Sequence, residues 1–327
     1  MTNTSRIPSA YVFVGTPATF WDSRPFRLSP RAVLRRASDS EIEKIKSYLD
    51  SLSGIYPCTG IFESSFKNEI EQLGADDKSI ELVYREPTAV PRENWNYNVV
   101  FITRYEGNPL EDNYSDLTQL RVSSQLSSCP LFLNTVTSRN SIHSLDFAAD
   151  WHHYTNPTAS EYKVTSFERH HLEDWKEILR SVERIKASFP LVWHSLKLFS
   201  EVPLVKGHNE LTVLALFSVL ESVITHNPRG EFDSIGHQIR TKIALVENRA
   251  DLKLDYSVLG NTPPETIWKK LYELRSNIAH GSPVSFSGKL KVLDDAYIVE
   301  RFMFSVLKTI LRFAVKEPQL VTDLKAV

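Results

Sequence analysis

The sequence predicts an α+β protein: a mixed α/β N-terminal domain over residues 1–168, then an all-α helical domain over 169–327. Three observations carry this. From about His171 onward, apolar residues recur at helical spacing almost without a break. Before that point, short β-branched and aromatic runs alternate with Pro- and Ser-rich stretches. The 327 residues, 42% apolar and 24% charged, suit two ordinary globular domains.

In the N-terminal part, Ala10–Val14 reads as a short strand. Arg24, Arg27, Arg31, Arg35 and Arg36 fall within residues 24–37 with no acid among them. This is either a phosphate-contacting strip or a strand edge guarded by charge. Ser38-Asp39-Ser40-Glu41 forms a capping box, and Ile42, Ile45, Leu49 and Leu52 continue one helical face to Gly54. Phe62, Phe66 and Ile70 are spaced to line a short helix. Ile80–Tyr84 and Tyr97–Thr103 read as strands, separated by a loop with Pro87 and Pro91. Residues 106–130 read as a polar loop with a partial helix, Leu131–Val136 as a strand and 137–160 as irregular.

In the C-terminal part, Trp175, Ile178, Leu179, Val182, Ile185 and Phe189 trace a helix stopped by Pro190. A second helix spans about 191–201. Leu211–Ile224 is apolar all round, as a central helix is, with Glu221 its one charge. Glu221 is either a cap-like surface residue near the helix end or a buried acid paired with Arg275 or another base. Ile235, Ile239, Ile243 and Val246 stripe the next helix, with Arg240 and Lys242 on other faces. Val292, Ala296, Val299, Met303, Val306 and Ile310 stripe a last helix over about 290–315. The tail after Pro318 is expected to fray.

Between them lies the most informative stretch. Thr262-Pro263-Pro264-Glu265 reads as a Thr N-cap, Pro at the first helical position and Glu three residues after the cap. Ile267, Leu271, Leu274 and Ile278 form one apolar stripe. Gly281 can take a left-handed C′ conformation and Pro283 forbids continuation. His280 therefore ends the helix, where the dipole favours a cationic imidazole. Ser276 and His280 are four apart and face one another across a turn, and Arg275 reaches toward the same end. Arg offers a fork of donors for phosphate, and His a proton donor or acceptor near neutral pH. Metal-free cleavage of a ribose phosphodiester needs those parts. The plain alternative is that Arg275 and His280 simply cap the helix C-terminus.

Several function classes lack their residues. Net charge is −2, so there is no global field for nucleic acid, and any RNA binding must come from a local patch. The two cysteines, Cys58 and Cys129, suit a reducing cytoplasm rather than a disulfide framework or a four-Cys zinc site. His152-His153 and His170-His171 read as surface or helix-entry histidines or as metal ligands. Adjacent helical histidines point about 100° apart and share an ion poorly. No cofactor or metal is expected. Phosphate-binding Gly-rich loops, a Gly-x-Ser-x-Gly elbow and an apolar run of membrane length are lacking, and no secretory leader is expected, since MTNTSRIPSAYVFVG has no long apolar stretch. A cytoplasmic location is expected.

Arg275-Ser276-Asn277-Ile278-Ala279-His280-Gly281, preceded by Leu271-Tyr272, resembles the Arg-x4-His motif of the HEPN superfamily, and more closely its ApeA-like branch. Leu214–Ile224 is similar to the family's earlier helix with its Leu-Glu pair, and Ile239–Val246 to the basic-apolar helix between. The resemblance covers roughly residues 208–315. It implies a helical bundle that pairs two such motifs across a homodimer and cleaves RNA without metal. By it, Arg275 and His280 are catalytic, Ser276 and Asn277 supporting, and Glu221 is the acid of the Leu-Glu pair. It also implies a bacterial anti-phage defence or toxin-like effector, with a phage-derived trigger. Some superfamily members are non-catalytic modules that bind RNA, a nucleotide or a protein partner.

Overall fold

The computed structural model describes residues 10–13, 18–20, 24–44, 68–73, 80–85, 98–102, 115–128, 130–131, 133, 135–137, 142–144, 165–202, 205, 210–230, 233–250 and 253–326. The chain divides into two compact units. The first comprises Met1–Pro109 with Leu131–Leu172, the second Leu110–Pro130 with Glu173–Val327. The expected boundary at 168/169 differs from this division chiefly in one segment: residues 110–130 belong with the helical unit.

The first unit is built on strands β1 (Ala10–Phe13), β2 (Ala18–Phe20), β3 (Phe26–Arg27), β4 (Ala32–Arg36), β5 (Asn68–Leu73), β6 (Ile80–Arg85), β7 (Asn98–Ile102), β8 (Thr135–Thr137), β9 (Ile142–Ser144) and β10 (Thr165–Phe167). Six form an antiparallel sheet in the order β3-β4-β7-β1-β8-β9. β10 pairs parallel to β2, and β5 pairs antiparallel with β6. On β4 the burial alternates: Ala32 and Leu34 point inward, and Leu34 lies opposite the buried Val100. The Ser29 hydroxyl accepts from the Arg31 and Ala32 N–H groups and tightens the turn into β4.

The arginine strip is not uniform. Arg35 donates to both Glu41 oxygens, at 2.7 and 2.8 Å, and Glu41 also accepts from the Ser38 N–H. That last bond is the return half of the capping box, and residues 39–44 are helical. Burial raises the Glu41 carboxyl, but Arg35 and Ser38 outweigh it and hold it below the usual carboxylate range. Arg27 and Arg36 are exposed.

Two local expectations change in this unit. Ile70 lies in β5 opposite Val83, not in a helix, because pairing with β6 imposes a period of two. The strand expected from Leu131 begins only at Thr135, and Leu131 and Leu133 are buried in irregular chain before it. The remainder of the helix expected to Leu52, Phe62, Phe66, Cys58, Cys129 and His152-His153 lie outside the described residues.

The second unit is helical: α1 (Ser115–Leu126), α2 (Arg169–Ser188, whose first turn falls in the first unit), α3 (Pro190–Glu201), α4 (Glu210–Ile224), α5 (Ile235–Ala250), α6 (Pro264–Ala279), α7 (Ala296–Lys316) and α8 (Pro318–Ala326). α4 is central and packs against α3, α5, α6, α7 and α8. Its Leu216, Phe217 and Leu220 are fully buried, as its all-round apolar character requires.

α1 was expected only as a partial helix because it reads as polar. Buried serines explain that: Ser123 in the helix and Ser127 just after it donate to the Leu120 and Ser124 carbonyls, so polar residues occupy core positions without loss. The Ser123 hydroxyl also accepts from the Trp175 indole at 2.9 Å. Arg312 of α7 donates to the Leu126 carbonyl, a cation at a helix C-terminus, and pairs with Asp174. Burial raises the Asp174 carboxyl, but Arg312 and the Ser128 N–H together hold it below its usual range.

Three further expectations need correction. The capping box at Thr262 does not form: Pro263 is the N-cap, without a side-chain cap bond, and α6 starts at Pro264. A residue before proline is kept out of the α region, so Pro263 cannot be the first helical residue. α7 starts at Ala296 rather than near 290, with Asp295 accepting from the Ile298 N–H at 2.7 Å. Pro318 opens α8 instead of a frayed tail, because proline fits the first helical position, and Val321 is buried. Among the described residues, no helix is long and apolar enough to cross a membrane.

Candidate functional site

α6 positions the residues of the Arg-x4-His stretch. Ile267, Trp268, Leu271 and Leu274 are buried along one face. The Trp268 indole donates to the Tyr256 hydroxyl at 3.1 Å, which in turn reaches Glu247 of α5 at 3.3 Å. Burial pushes the Tyr256 phenol up to about 12, so it stays a neutral brace. A Cβ on Gly236 would lie 2.8 Å from the Tyr272 ring, so glycine lets the first turn of α5 lie against α6. Together these contacts hold α6 against α5 on the N-terminal side of Arg275.

The helix end is built by backbone geometry. Gly281 has φ +66°. Its N–H donates to the Ile278 carbonyl at 3.0 Å, and the Ser282 N–H donates to the Asn277 carbonyl at 2.9 Å. These two bonds are the Schellman pattern, with His280 as C-cap. The Ser276 carbonyl accepts from the His280 N–H at 3.1 Å. Ser276 and Asn277 thus serve the turn through their backbones, and their side chains are half-buried. The His280 side chain is exposed.

Arg275 sits one step round the helix from the buried Leu274, at the margin of the core. Its Nε donates to Glu221 Oε1 at 2.9 Å and its Nη2 to Oε2 at 3.1 Å. The Arg275 side chain is 27% exposed and Glu221 19%. Of the two alternatives for Glu221, the structure shows pairing with Arg275 rather than a surface cap. It follows Leu220, which is fully buried, and its own carbonyl accepts from the Thr225 N–H and hydroxyl. The arrangement therefore offers an oriented, half-exposed guanidinium on α6 and an exposed imidazole at the end of the same helix. Among the described residues, no hydrogen bond joins the His280 ring to Arg275, Ser276 or Asn277.

His170 and His171 open α2. The His171 ring accepts from the Glu168 N–H at 3.1 Å, which makes it a helix-entry residue. Among the described residues, no group of three or more His, Cys, Asp or Glu side chains is placed to hold a metal ion.

A second polar cluster escaped the sequence reading. Lys242 of α5 is buried beside the apolar stripe rather than set on another face: its Nζ donates to the Leu324 carbonyl at 2.6 Å and to His226 Nδ1 at 3.0 Å. An ammonium has no acceptor, so His226 Nδ1 carries no proton and Nε2–H donates to Asp233 Oδ2, 2.9 Å away. Burial lowers Lys242, Asp233 opposes this, and Arg229 and Lys325 push it further down. The Arg229 N–H, ahead of the other bonds, lowers the Asp233 carboxyl. Arg229 also reaches the Ala326 carbonyl, and Lys325 the Ser222 carbonyl. The cluster anchors the last turn of α8. Its cue in the sequence was spacing: Lys242 lies three residues after Ile239 and four before Val246, which sets it beside the apolar stripe rather than on another face.

No protein-family model, curated protein or solved structure matches the chain.

Proposed function

We propose that the helical unit is a HEPN-type, metal-independent endoribonuclease acting as a homodimer. The observation that carries this reading is the end of α6. There, Arg275 is held half-exposed by Glu221 while His280, five residues on, projects from the C-cap. In the reaction, Arg275 binds the scissile phosphate and stabilises charge as it builds. His280 acts as general base on the 2′-hydroxyl or as general acid on the leaving 5′-oxygen. One motif supplies one imidazole, so a second copy of the chain supplies the other proton-transfer group. The wider role that fits is a bacterial anti-phage or toxin-like effector with a phage-derived trigger, in which the N-terminal unit senses or restrains.

The Glu221 salt bridge also favours a second reading. It engages one edge of Arg275, and among the described residues no side-chain bond orients the His280 ring, which suits a non-catalytic HEPN module that binds RNA, a nucleotide or a protein partner. The deciding experiment incubates purified protein with single-stranded RNA in EDTA and analyses product ends, with light scattering alongside. The expected result is a dimer that leaves 2′,3′-cyclic phosphate and 5′-hydroxyl ends. Intact RNA, or cleavage that needs a divalent ion, overturns the ribonuclease reading.

A further inference from the structure

We infer that Glu221 is a positioning residue for Arg275: it grips the side edge of the guanidinium and aims the end edge at the phosphodiester. The inference rests on the ribonuclease reading above and adds the group that orients its phosphate contact.

A guanidinium presents two forks of parallel N–H groups, one along Nε and Nη2 and one along Nη1 and Nη2. Both bonds to Glu221 lie on the first, Nε to Oε1 at 2.9 Å and Nη2 to Oε2 at 3.1 Å. Among the described residues Nη1 makes no hydrogen bond, so the second fork remains for a bidentate phosphate contact. Arg275 is 27% exposed, enough for a ligand to reach it. A lone arginine there would sample many rotamers, and two parallel bonds to a fixed carboxylate remove most of them. Glu221 is itself fixed, because Leu220 before it and Val223 two residues after it are buried and α4 is the central helix.

The pair has a specific kinetic signature. Glu221 offsets the Arg275 charge, so it does nothing for the ground-state attraction of an anion. Its contribution is direction, which matters most in the transition state. Removing its charge while keeping its shape should therefore lower kcat and leave KM unchanged or lower. A latch that merely occupied Arg275 in a resting state would give the opposite, a rise in kcat.

The test compares wild type, Glu221→Gln, Glu221→Asp, Arg275→Ala and the double variant Glu221→Gln with Arg275→Ala on single-stranded RNA, with melting curves throughout. Glu221→Gln should lower kcat about 10- to 100-fold, the scale of a misaligned catalytic contact. Glu221→Asp should recover part of that loss, and Glu221→Gln should have no further effect once Arg275 is alanine. An unchanged or raised kcat in Glu221→Gln overturns the inference. So does a loss that persists undiminished in the Arg275→Ala background, because that is a general structural effect.

A readout without turnover separates this inference from the ribonuclease reading. The 15N resonance of the Arg275 side-chain Nε–H is followed as 2′-O-methyl RNA, which cannot be cleaved, is added. It should move to one sharp new position in wild type and show a broader, smaller shift in Glu221→Gln, where RNA still meets the guanidinium but at no single angle. If wild type leaves ordinary RNA intact but this shift occurs, the ribonuclease reading fails and the positioning role stands as one in RNA binding. If the wild-type resonance does not move, the positioning role fails whatever the cleavage assay shows.

Discussion

Two charged clusters flank the C-terminal end of α4, and they differ in how completely their polar groups are used. Around His226, the Asp233 carboxylate, both ring nitrogens, the Lys242 ammonium and the Gln238 amide all have partners within the fold. At the end of α6, Arg275 uses one fork on Glu221 and the His280 ring is exposed. A buried polar group without a partner is costly, so a fold completes its internal networks and leaves donors open only where solvent or a ligand can meet them. The first cluster has the character of an anchor for α8, the second that of a site.

The sharpest way to break this comparison is to remove one imidazole from each cluster. On the reading above, His280→Ala should lower RNA cleavage about 10²- to 10⁴-fold, the contribution of a positioned acid or base. Its melting temperature should scarcely change, since a helix-end dipole interaction contributes only about 0.3–1 kcal/mol. His226→Ala should do the reverse, leaving turnover per folded molecule intact while lowering stability. Equal cleavage by His280→Ala and wild type would end the distinction.

A smaller effect is expected at Arg275. Lysine there retains a charge but lacks the fork, so Arg275→Lys should recover only part of the cleavage lost in Arg275→Ala. Full recovery would mean that only charge is needed and that the Glu221 geometry is incidental.

In the anchor, Lys242→Met preserves the stem but leaves the Leu324 carbonyl and His226 Nδ1 without their donor. A cost of about 1–3 kcal/mol is expected, read in a denaturant or thermal melt. Hydrogen exchange should also rise selectively in 318–326. Unchanged exchange there would show that packing of Val321, not the polar cluster, holds α8.

The smallest effect concerns acid. The Asp233 and Asp174 carboxyls are both lowered in the folded protein. Each therefore stabilises the fold at pH values above its unfolded pKa of about 3.9, and the contribution is lost as pH falls through the lower folded value. Asp174→Asn should destabilise at neutral pH, with the difference from wild type shrinking as the medium is acidified below about pH 4. A difference that stays constant with pH would assign the effect to packing rather than to the Arg312 and Ser128 contacts.

Much of this molecule is readable in local sequence. Apolar spacing marked α2 through α7 because one buried face per helix needs residues at i, i+3 and i+4. Gly281 and Pro283 marked the end of α6 because a left-handed residue and a missing N–H are properties of single positions. Short β-branched runs marked β1, β6 and β7 for the same local reason. The position of His280 at a helix end followed directly from these.

Tertiary structure decided the rest. Glu221 and Arg275 lie 54 positions apart, and only the packing of α4 on α6 makes them partners. Lys242 has the composition of a surface residue and is buried because the Leu324 carbonyl and His226 meet it inside. Ser123 of α1 and Ser127 just after it look like loop residues in the sequence and lie in the core because each finds a backbone carbonyl, and Ser123 an indole as well. Ile70 fits a helical spacing until β6 pairs with it. In each case local pattern sets what a residue can do. Whether a polar group is buried, and which of its bonds are used, depends on a partner distant in sequence whose position exists only once the helices and strands have packed.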